Sequence, residues 1–224
     1  MTGFDTNNQH IKLSRTAFVT IGATAGFRSL LREVVSPKFL STLRSLNFTD
    51  LVVQCGPDLD YFDTIRPDQT QTSSDVKIAA FPYAPDLKQH YLQASQSDGD
   101  DDYGKRDRGV IISHAGPLES CVTIGLVVAH FTAGSGSIIE ALEFDSKLVA
   151  VPNPELMDNH QLEIAEEMES QGFLIHGTLG SVAEAVEKAD TTALRKWPPG
   201  PSPGSAYQKG GLWEAINELM PQPT

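Results

Sequence analysis

Two glycine-rich turns hold the residues best suited to bind a diphosphate. GATAG at residues 22–26 follows an apolar run, GSGS at residues 134–137 follows another, and a helical pattern begins after each turn. Backbone N–H groups at a helix start, together with serine hydroxyls, can hold phosphate oxygens. A plain tight turn is the alternative for the first segment, and a capped helix start is the alternative for the second. Neither segment matches GxGxxG, the fingerprint of dinucleotide-binding dehydrogenases, or the phosphate-binding motif GxxxxGK[ST]. The sequence therefore gives little support to a dehydrogenase.

Residues after the second turn could bind the ribose and sugar of a nucleotide sugar. Glu140 lies on the first helical turn after GSGS, where its carboxylate could reach two ribose hydroxyls or simply favour the helix dipole. The loop PNPELMDNHQ at 152–161 follows an apolar run, and Asn159, His160 and Gln161 offer donors and acceptors for sugar hydroxyls and an acetamide. Capping of the next helix by Asp158 or Asn159 is an alternative that is compatible with sugar binding.

The aspartates at 100–102 resemble the paired carboxylates of a metal site. They lie within residues 95–108, a segment dense in charge and glycine, so a solvated, disordered loop is predicted and no metal is assigned. No cofactor is expected either. Without a metal, helix N-termini and hydrogen-bond donors would have to stabilise a leaving diphosphate.

Composition limits the classes of partner. The formal net charge is -12, which argues against nucleic acid and against docking on an anionic membrane. Cys55 and Cys121 lie in apolar runs, which favours buried thiols in a reducing compartment. The polar N-terminus lacks a secretory signal, and the longest apolar run, 121–133, is shorter than the roughly 20 residues of a membrane span. We therefore expect a soluble cytoplasmic protein.

The elements that would position these turns alternate between strands and helices. Six apolar runs predict strands at 17–22, 51–56, 76–83, 109–113, 147–152 and 173–177. Helical patterns occupy 27–46, 138–144, 160–170 and 182–188, and Pro37 should end or kink the first of them. This alternation predicts an α/β fold, a Rossmann-like, mostly parallel sheet with helices on both faces and ligands at the carboxyl ends of its strands.

Composition also divides the chain into segments. Residues 1–15 are predicted to be a flexible N-terminus, 16–196 the binding domain, 197–211 a Pro/Gly linker and 212–224 a C-terminal helix. In that helix one face is apolar, formed by Leu212, Trp213, Ile216, Leu219 and Met220. Spacing alone favours packing of this face on the domain's own sheet, and docking on another subunit is the alternative.

Five segments in this order resemble a known family: VTIGATAGFRSLL, LVVQCG, GVIISHAG, GSGSIIEAL and MDNHQLEIAEE. They are similar to the catalytic subunit of the UDP-N-acetylglucosamine transferase of asparagine-linked glycosylation. That subunit resembles the carboxyl-terminal half of the bacterial enzyme that makes lipid intermediate II of peptidoglycan. The resemblance extends from Phe18 to about Lys188. Arg28 departs from it, since the family more often has Asp there.

The resemblance implies the donor-binding half of a GT-B glycosyltransferase and a heterodimer. A membrane-anchored partner subunit would bind the dolichol-linked acceptor and recruit this chain to the cytosolic face of the endoplasmic reticulum. The implied reaction is transfer of N-acetylglucosamine from UDP-GlcNAc to GlcNAc-diphosphodolichol with inversion, without a metal.

The family's motifs assign roles to individual residues. Glu140 would hold the ribose, and Asn159, His160 and Gln161 would bind the sugar. The catalytic base is either His114 or a residue of the partner. Gly134, Ser135 and Gly136 would hold the diphosphate, and Ser137 would belong to the same donor site. Gly22 and Thr24 would line the donor cleft where it faces the partner.

Residues 117–134 interrupt the resemblance. Deleting PLESCVTIGLVVAHFTAG joins SHAG at 113–116 directly to SGSIIEAL, as in the family. We interpret this atypical insertion as a retained in-frame intron or an annotation error; a genuine insertion, with a strand at 122–129, is the alternative. In a further alternative VVAHFTAG replaces IISHAG as the strand that enters the turn, which would place His130 near the position of His114. Small displacements of the groups in a transferase site reduce the rate strongly, so the chain should be much less active than its deletion variant.

Two functional alternatives stay open from the sequence. One is a non-catalytic subunit that binds a nucleotide sugar. The other is a stand-alone UDP-sugar transferase with another acceptor, although one Rossmann-like half lacks an acceptor domain.

Overall fold

Six parallel strands form a single sheet in the computed structural model, which describes residues 14–22, 25–68, 76–95, 108–114, 138, 141–142, 144, 146–155 and 160–196. The strand order is β3-β2-β1-β4-β5-β6. The strands are β1 Thr16–Thr20, β2 Asp50–Gln54, β3 Lys77–Phe81, β4 Val110–His114, β5 Lys147–Val151 and β6 Ile175–His176. This order reverses direction between β1 and β4, so the ligand crevice of such a sheet lies outside the carboxyl ends of these two strands.

All six predicted strands are confirmed, and the sheet is parallel throughout the described residues. The last strand is shorter than its apolar run. Phe173 and Leu174 are buried, but only Ile175 and His176 pair with β5. The apolar run therefore reports burial beneath a helix as well as strand pairing.

Helices cover both faces of the sheet. They are α1 Arg28–Val34, α2 Pro37–Ser45, α3 Leu59–Ile65, α4 Lys88–Ala94, α5 His160–Ser170 and α6 Val182–Thr191, with a 3-10 turn at Gly56–Asp58. Residues 138, 141 and 142 are also helical. Pro37 separates α1 from α2 as predicted, because proline is the first residue of α2 and Ser36 caps it by accepting from Phe39 N at 3.2 Å.

The core has two parts, one on each side of the sheet. Alternate residues of β1 point to opposite sides: Ala17 and Val19 pack beneath α1, α2 and α6, and Phe18 packs beneath α4 and α5. The central strands β1, β4 and β5 are buried along their whole length. Burial on both faces explains why these strands read as continuous apolar runs.

The domain begins slightly before the predicted boundary. Arg15, which the sequence assigns to the flexible terminus, donates from Nε to the Arg108 carbonyl at 2.8 Å and pairs with Asp190. Its guanidinium also lies over the Phe48 ring, 4.2 Å from the centroid. Ser95, assigned to the disordered loop, is buried at the end of α4.

Several predicted segments lie outside the described residues. These are 1–13, 96–107, 115–137 and 197–224, which include the aspartates at 100–102, Cys121, the atypical insertion, the linker and the C-terminal helix. The structure does show 110–114 as β4, paired with both β1 and β5. VVAHFTAG, which one alternative assigns to this strand, lies outside the described residues.

Candidate functional site

The turn after β1 lies at the point where the strand order reverses. Gly22 has a φ of 81°, a left-handed backbone conformation that favours glycine. Its N–H faces Thr20 Oγ1 at 3.4 Å, and Thr20 in turn donates to the side chain of Gln54 on β2. The chain therefore leaves β1 in a fixed direction. Thr24, predicted to line the same turn, lies outside the described residues.

His114, the candidate base, ends β4 beside this turn. Its Nδ1 lies 3.1 Å from the Ile21 carbonyl, and its ring packs edge-on against Phe27 with centroids 5.2 Å apart. A carbonyl only accepts, so Nδ1 carries the proton and the neutral ring has its lone pair on Nε2. Burial lowers the pKa of His114, and the hydrogen bond to Ile21 opposes that shift.

This geometry gives His114 a structural task, which is to hold the start of the turn. The side chain is only 2% exposed in the described structure. A neutral imidazole has the protonation state that a base requires. Its use as the base stays a prediction, because residues 115–137, which follow it directly, are outside the described residues.

Asn153 holds the other end of the turn from the end of β5. Its Nδ2 donates to the Gly26 carbonyl at 3.3 Å, and its Oδ1 accepts from Glu155 N at 3.0 Å. The Asn153 N–H faces Gln161 Oε1 at 3.4 Å. Gln161 is buried, so its carbonyl oxygen stabilises the loop that joins β5 to α5. Because the oxygen of Gln161 is engaged in this way, its predicted contact with the sugar would have to be made by its amide nitrogen.

Asp58 anchors the same end of the turn from the segment after β2. Its Oδ2 accepts from Phe27 N at 3.0 Å, and its Oδ1 accepts from Arg28 Nε at 2.8 Å. Asp58 is 6% exposed, and Gly26 lies against it. A Cβ at position 26 would overlap Asp58 Oδ2 and stand 3.1 Å from Asp58 Cγ, so any larger residue there would have to displace the Asp58 carboxylate.

Arg28, the position that departs from the family pattern, has a defined partner. Hydrogen bonding and charge from Asp58 raise the pKa of its guanidinium, which also lies 4.9 Å from the centre of the Tyr61 ring. The side chain is otherwise exposed to solvent. Arg28 thus neutralises a buried carboxylate at the base of the turn.

The structure brings together part of the predicted site. Gly22, His114 and Gln161 lie around the carboxyl ends of β1, β4 and β5, and the backbone of His160 starts α5 nearby. Asp58 and Asn153 were missed, although an Asn between two prolines after a buried strand and an Asp after Gly-Pro were visible signals. The remaining predicted residues lie outside the described ranges: Thr24, Gly134, Ser135, Gly136, Ser137, Glu140 and Asn159.

Other features of the described residues bear on the predicted class. Cys55 is buried, as predicted, and burial raises the pKa of its thiol to about 12. Within the described ranges, no three His, Cys, Asp or Glu side chains are grouped as metal ligands. No described helix is long and apolar enough to cross a membrane.

A six-stranded parallel sheet in this order, covered by helices on both faces, defines a Rossmann-like α/β domain. The sequence model of the glycosyltransferase family 28 C-terminal domain matches residues 122–196. This match begins inside the segment interpreted as an insertion. The family model therefore continues across residues 122–134, even though β4 is formed by 110–114.

Relatives and a solved structure narrow the class. The UDP-N-acetylglucosamine transferase subunit ALG13 of Eremothecium gossypii is 30% identical over 88% of this chain and 89% of its own length. The subunit of the same name from Cryptococcus neoformans is 29% identical over 92% of this chain and 96% of its own. An NMR solution structure of ALG13 shares the fold, with a TM-score of 0.55 and 21% identity over 84% of this chain and 90% of that one. The chain belongs to the ALG13 family of UDP-N-acetylglucosamine transferase subunits.

Proposed function

We propose that this chain is the donor-binding subunit of a glycosyltransferase that moves N-acetylglucosamine from UDP-GlcNAc to GlcNAc-diphosphodolichol. The observation that carries the proposal is the organised turn at the switch point of a sheet whose relatives are named UDP-N-acetylglucosamine transferase subunits. Nucleotide ligands of such sheets bind at this edge. A diphosphate held by backbone N–H groups suits the turns at 22–26 and 134–137.

In the proposed reaction an acceptor hydroxyl oxygen attacks the anomeric carbon of the donor. The bond from that carbon to the UDP oxygen breaks, the configuration inverts to give a β1-4 link, and UDP leaves with the bonding electrons. The hydroxyl proton passes to a base, which is either His114 or a residue of the partner. Turn N–H groups stabilise the charge on UDP, so the reaction is proposed to need no metal.

We also propose that transfer requires a membrane-anchored partner at the cytosolic face of the endoplasmic reticulum. A single Rossmann-like half provides one wall of a cleft, and the relatives carry the word subunit in their names. Among the described residues only two large hydrophobic side chains are well exposed, Tyr83 and Leu162. The apolar face predicted at 212–220 lies outside the described residues, and its docking on the partner is part of this proposal.

The test is a transfer assay on membranes that contain the candidate partner, with labelled UDP-GlcNAc and GlcNAc-diphosphodolichol. Labelled disaccharide lipid that appears only when both subunits are present supports the proposal. Binding of UDP-GlcNAc without transfer beside a bound partner would instead establish the non-catalytic alternative. Transfer by the chain without the partner would establish a stand-alone enzyme.

A further inference from the structure

Three segments at or just after strand ends of the sheet hold the backbone on either side of one short turn, at Ile21 and at Gly26–Phe27. His114 from β4 contacts the Ile21 carbonyl, Asn153 from β5 contacts the Gly26 carbonyl, and Asp58 from the segment after β2 accepts from Phe27 N. The turn itself, GATAG, consists of small residues and has few atoms with which to pack. Contacts from the neighbouring strand ends therefore fix the described residues on either side of it.

Burying the Asp58 carboxylate beneath the turn costs solvation free energy. A buried carboxylate loses its hydration, and an apolar side chain of similar size often stabilises a fold equally well or better. The carboxylate adds two hydrogen bonds of defined direction. Its two oxygens engage Phe27 N and Arg28 Nε separately, at 3.0 Å and 2.8 Å, and so fix where the turn ends and α1 begins.

Asn153 adds a second fixed point on the peptide between Gly26 and Phe27. Asp58 accepts from the N–H of that peptide, while Asn153 donates to its carbonyl from the opposite strand end. A peptide plane held at both its N–H and its C=O cannot rotate, because either rotation breaks one bond. Asn153 is itself fixed through Glu155 N and Gln161 Oε1.

We propose that Asp58 and Asn153 are positioning residues of the transferase. By locking the Gly26–Phe27 peptide they fix the end of the turn that is proposed to receive the nucleotide sugar. This inference rests on the proposed function and assigns to it two residues that do not themselves touch the donor. A turn that must be ordered on binding loses affinity, so the expected defect is in donor binding rather than in chemistry.

Variants at position 58 separate the contacts. Asp58→Ala removes both acceptors and should raise the KM for UDP-GlcNAc by about tenfold, equivalent to roughly 1.4 kcal/mol, with kcat little changed. Asp58→Asn keeps an acceptor for Phe27 N and should restore most of the affinity. Arg28→Gln leaves the Asp58–Phe27 bond in place and should change KM least. Asn153→Ala should resemble Asp58→Ala.

Asp190→Asn is the matched control. Asp190 also pairs with an arginine, Arg15, and with Lys147, but at the amino end of the sheet. This variant should lower the thermal midpoint without altering the KM. The variants are made in the form of the chain that gives transfer, and UDP-GlcNAc binding is measured by calorimetry beside the kinetics.

Amide hydrogen exchange of the peptide covering 21–27 gives a readout that does not depend on activity. Faster exchange in Asp58→Ala and Asn153→Ala, but not in Asp190→Asn, together with the rise in KM, supports the proposal. Equal exchange in wild type and Asp58→Ala, or an equal rise in KM for Asp190→Asn, overturns it. If the wild type neither binds nor transfers, the proposed function fails, and the exchange rates alone decide whether Asp58 fixes the turn.

Discussion

A methyl group at position 26 probes the contact between the turn and Asp58. In Gly26→Ala the three atoms nearest to the new Cβ all belong to the Asp58 carboxyl group. Overpacking a filled site costs about 1–3 kcal/mol. Moving the carboxylate away would also weaken the bond from Phe27 N, and bonds to charged groups contribute about 1.5–3 kcal/mol. We therefore expect Gly26→Ala to lower the free energy of unfolding by about 3 kcal/mol.

A double-mutant cycle isolates this contact. In an Asp58→Ala background the clashing atoms are gone, so Gly26→Ala should be nearly neutral and the coupling should be about 3 kcal/mol. The assay is urea-induced unfolding followed by circular dichroism on all four chains. Gly180→Ala is the control: nothing lies within 4 Å of its Cβ, but its φ is +88°. It should cost about 1 kcal/mol from backbone strain in either background.

One result of this double-mutant cycle would contradict the contact between the turn and Asp58. If Gly26→Ala costs the same free energy with and without the Asp58 carboxylate, then the turn does not rest on Asp58. The positioning role proposed for that residue would lose its structural basis.

Two further predictions concern stability. Glu33 accepts hydrogen bonds from Gly180 N at 2.7 Å and Val182 N at 2.8 Å and so caps α6. Glu33→Ala should therefore lower the free energy of unfolding, measured in urea, by about 1–2 kcal/mol, and Glu33→Gln should lower it less. Equal losses in the two variants would contradict the capping role. Burial lowers the pKa of His90 and of His114, so both are held neutral in the fold. Their contribution to stability is therefore present above about pH 6.5 and is lost as the pH falls through the lowered folded-state pKa values. Urea midpoints should drop between about pH 7.5 and about pH 5, and His90→Gln should flatten this slope; an unchanged slope would contradict the assignment to His90.

The strands were predictable because burial on both faces leaves continuous apolar runs, such as AFVTI and KLVAV. The break at Pro37 followed from proline chemistry alone. Two short helices were not predicted. In α3, Leu59, Phe62 and Ile65 recur at a spacing of three, but a helix of seven residues gives too short a pattern to separate from a loop.

The site was harder to predict than the fold. Gly22 and His114 could be found by their types and positions after strands. Asp58 and Asn153 could not be assigned, because their task depends on which strand ends are neighbours across the sheet, and spacing along the chain does not report this. Arg28 stood out only as a departure from the family pattern, and its pairing with Asp58 supplies the physical reason.

We propose that this chain binds UDP-GlcNAc and transfers its sugar only together with a membrane-anchored partner. The most direct test compares the full chain with a variant lacking Pro117–Gly134 in the partner-containing membrane assay. We predict labelled product from the deletion variant with the partner, much less from the full chain, and none from either without the partner. Absence of product from both chains beside a bound partner, with UDP-GlcNAc still bound, would contradict the claim of catalysis, and equal product from both would contradict our interpretation of the insertion.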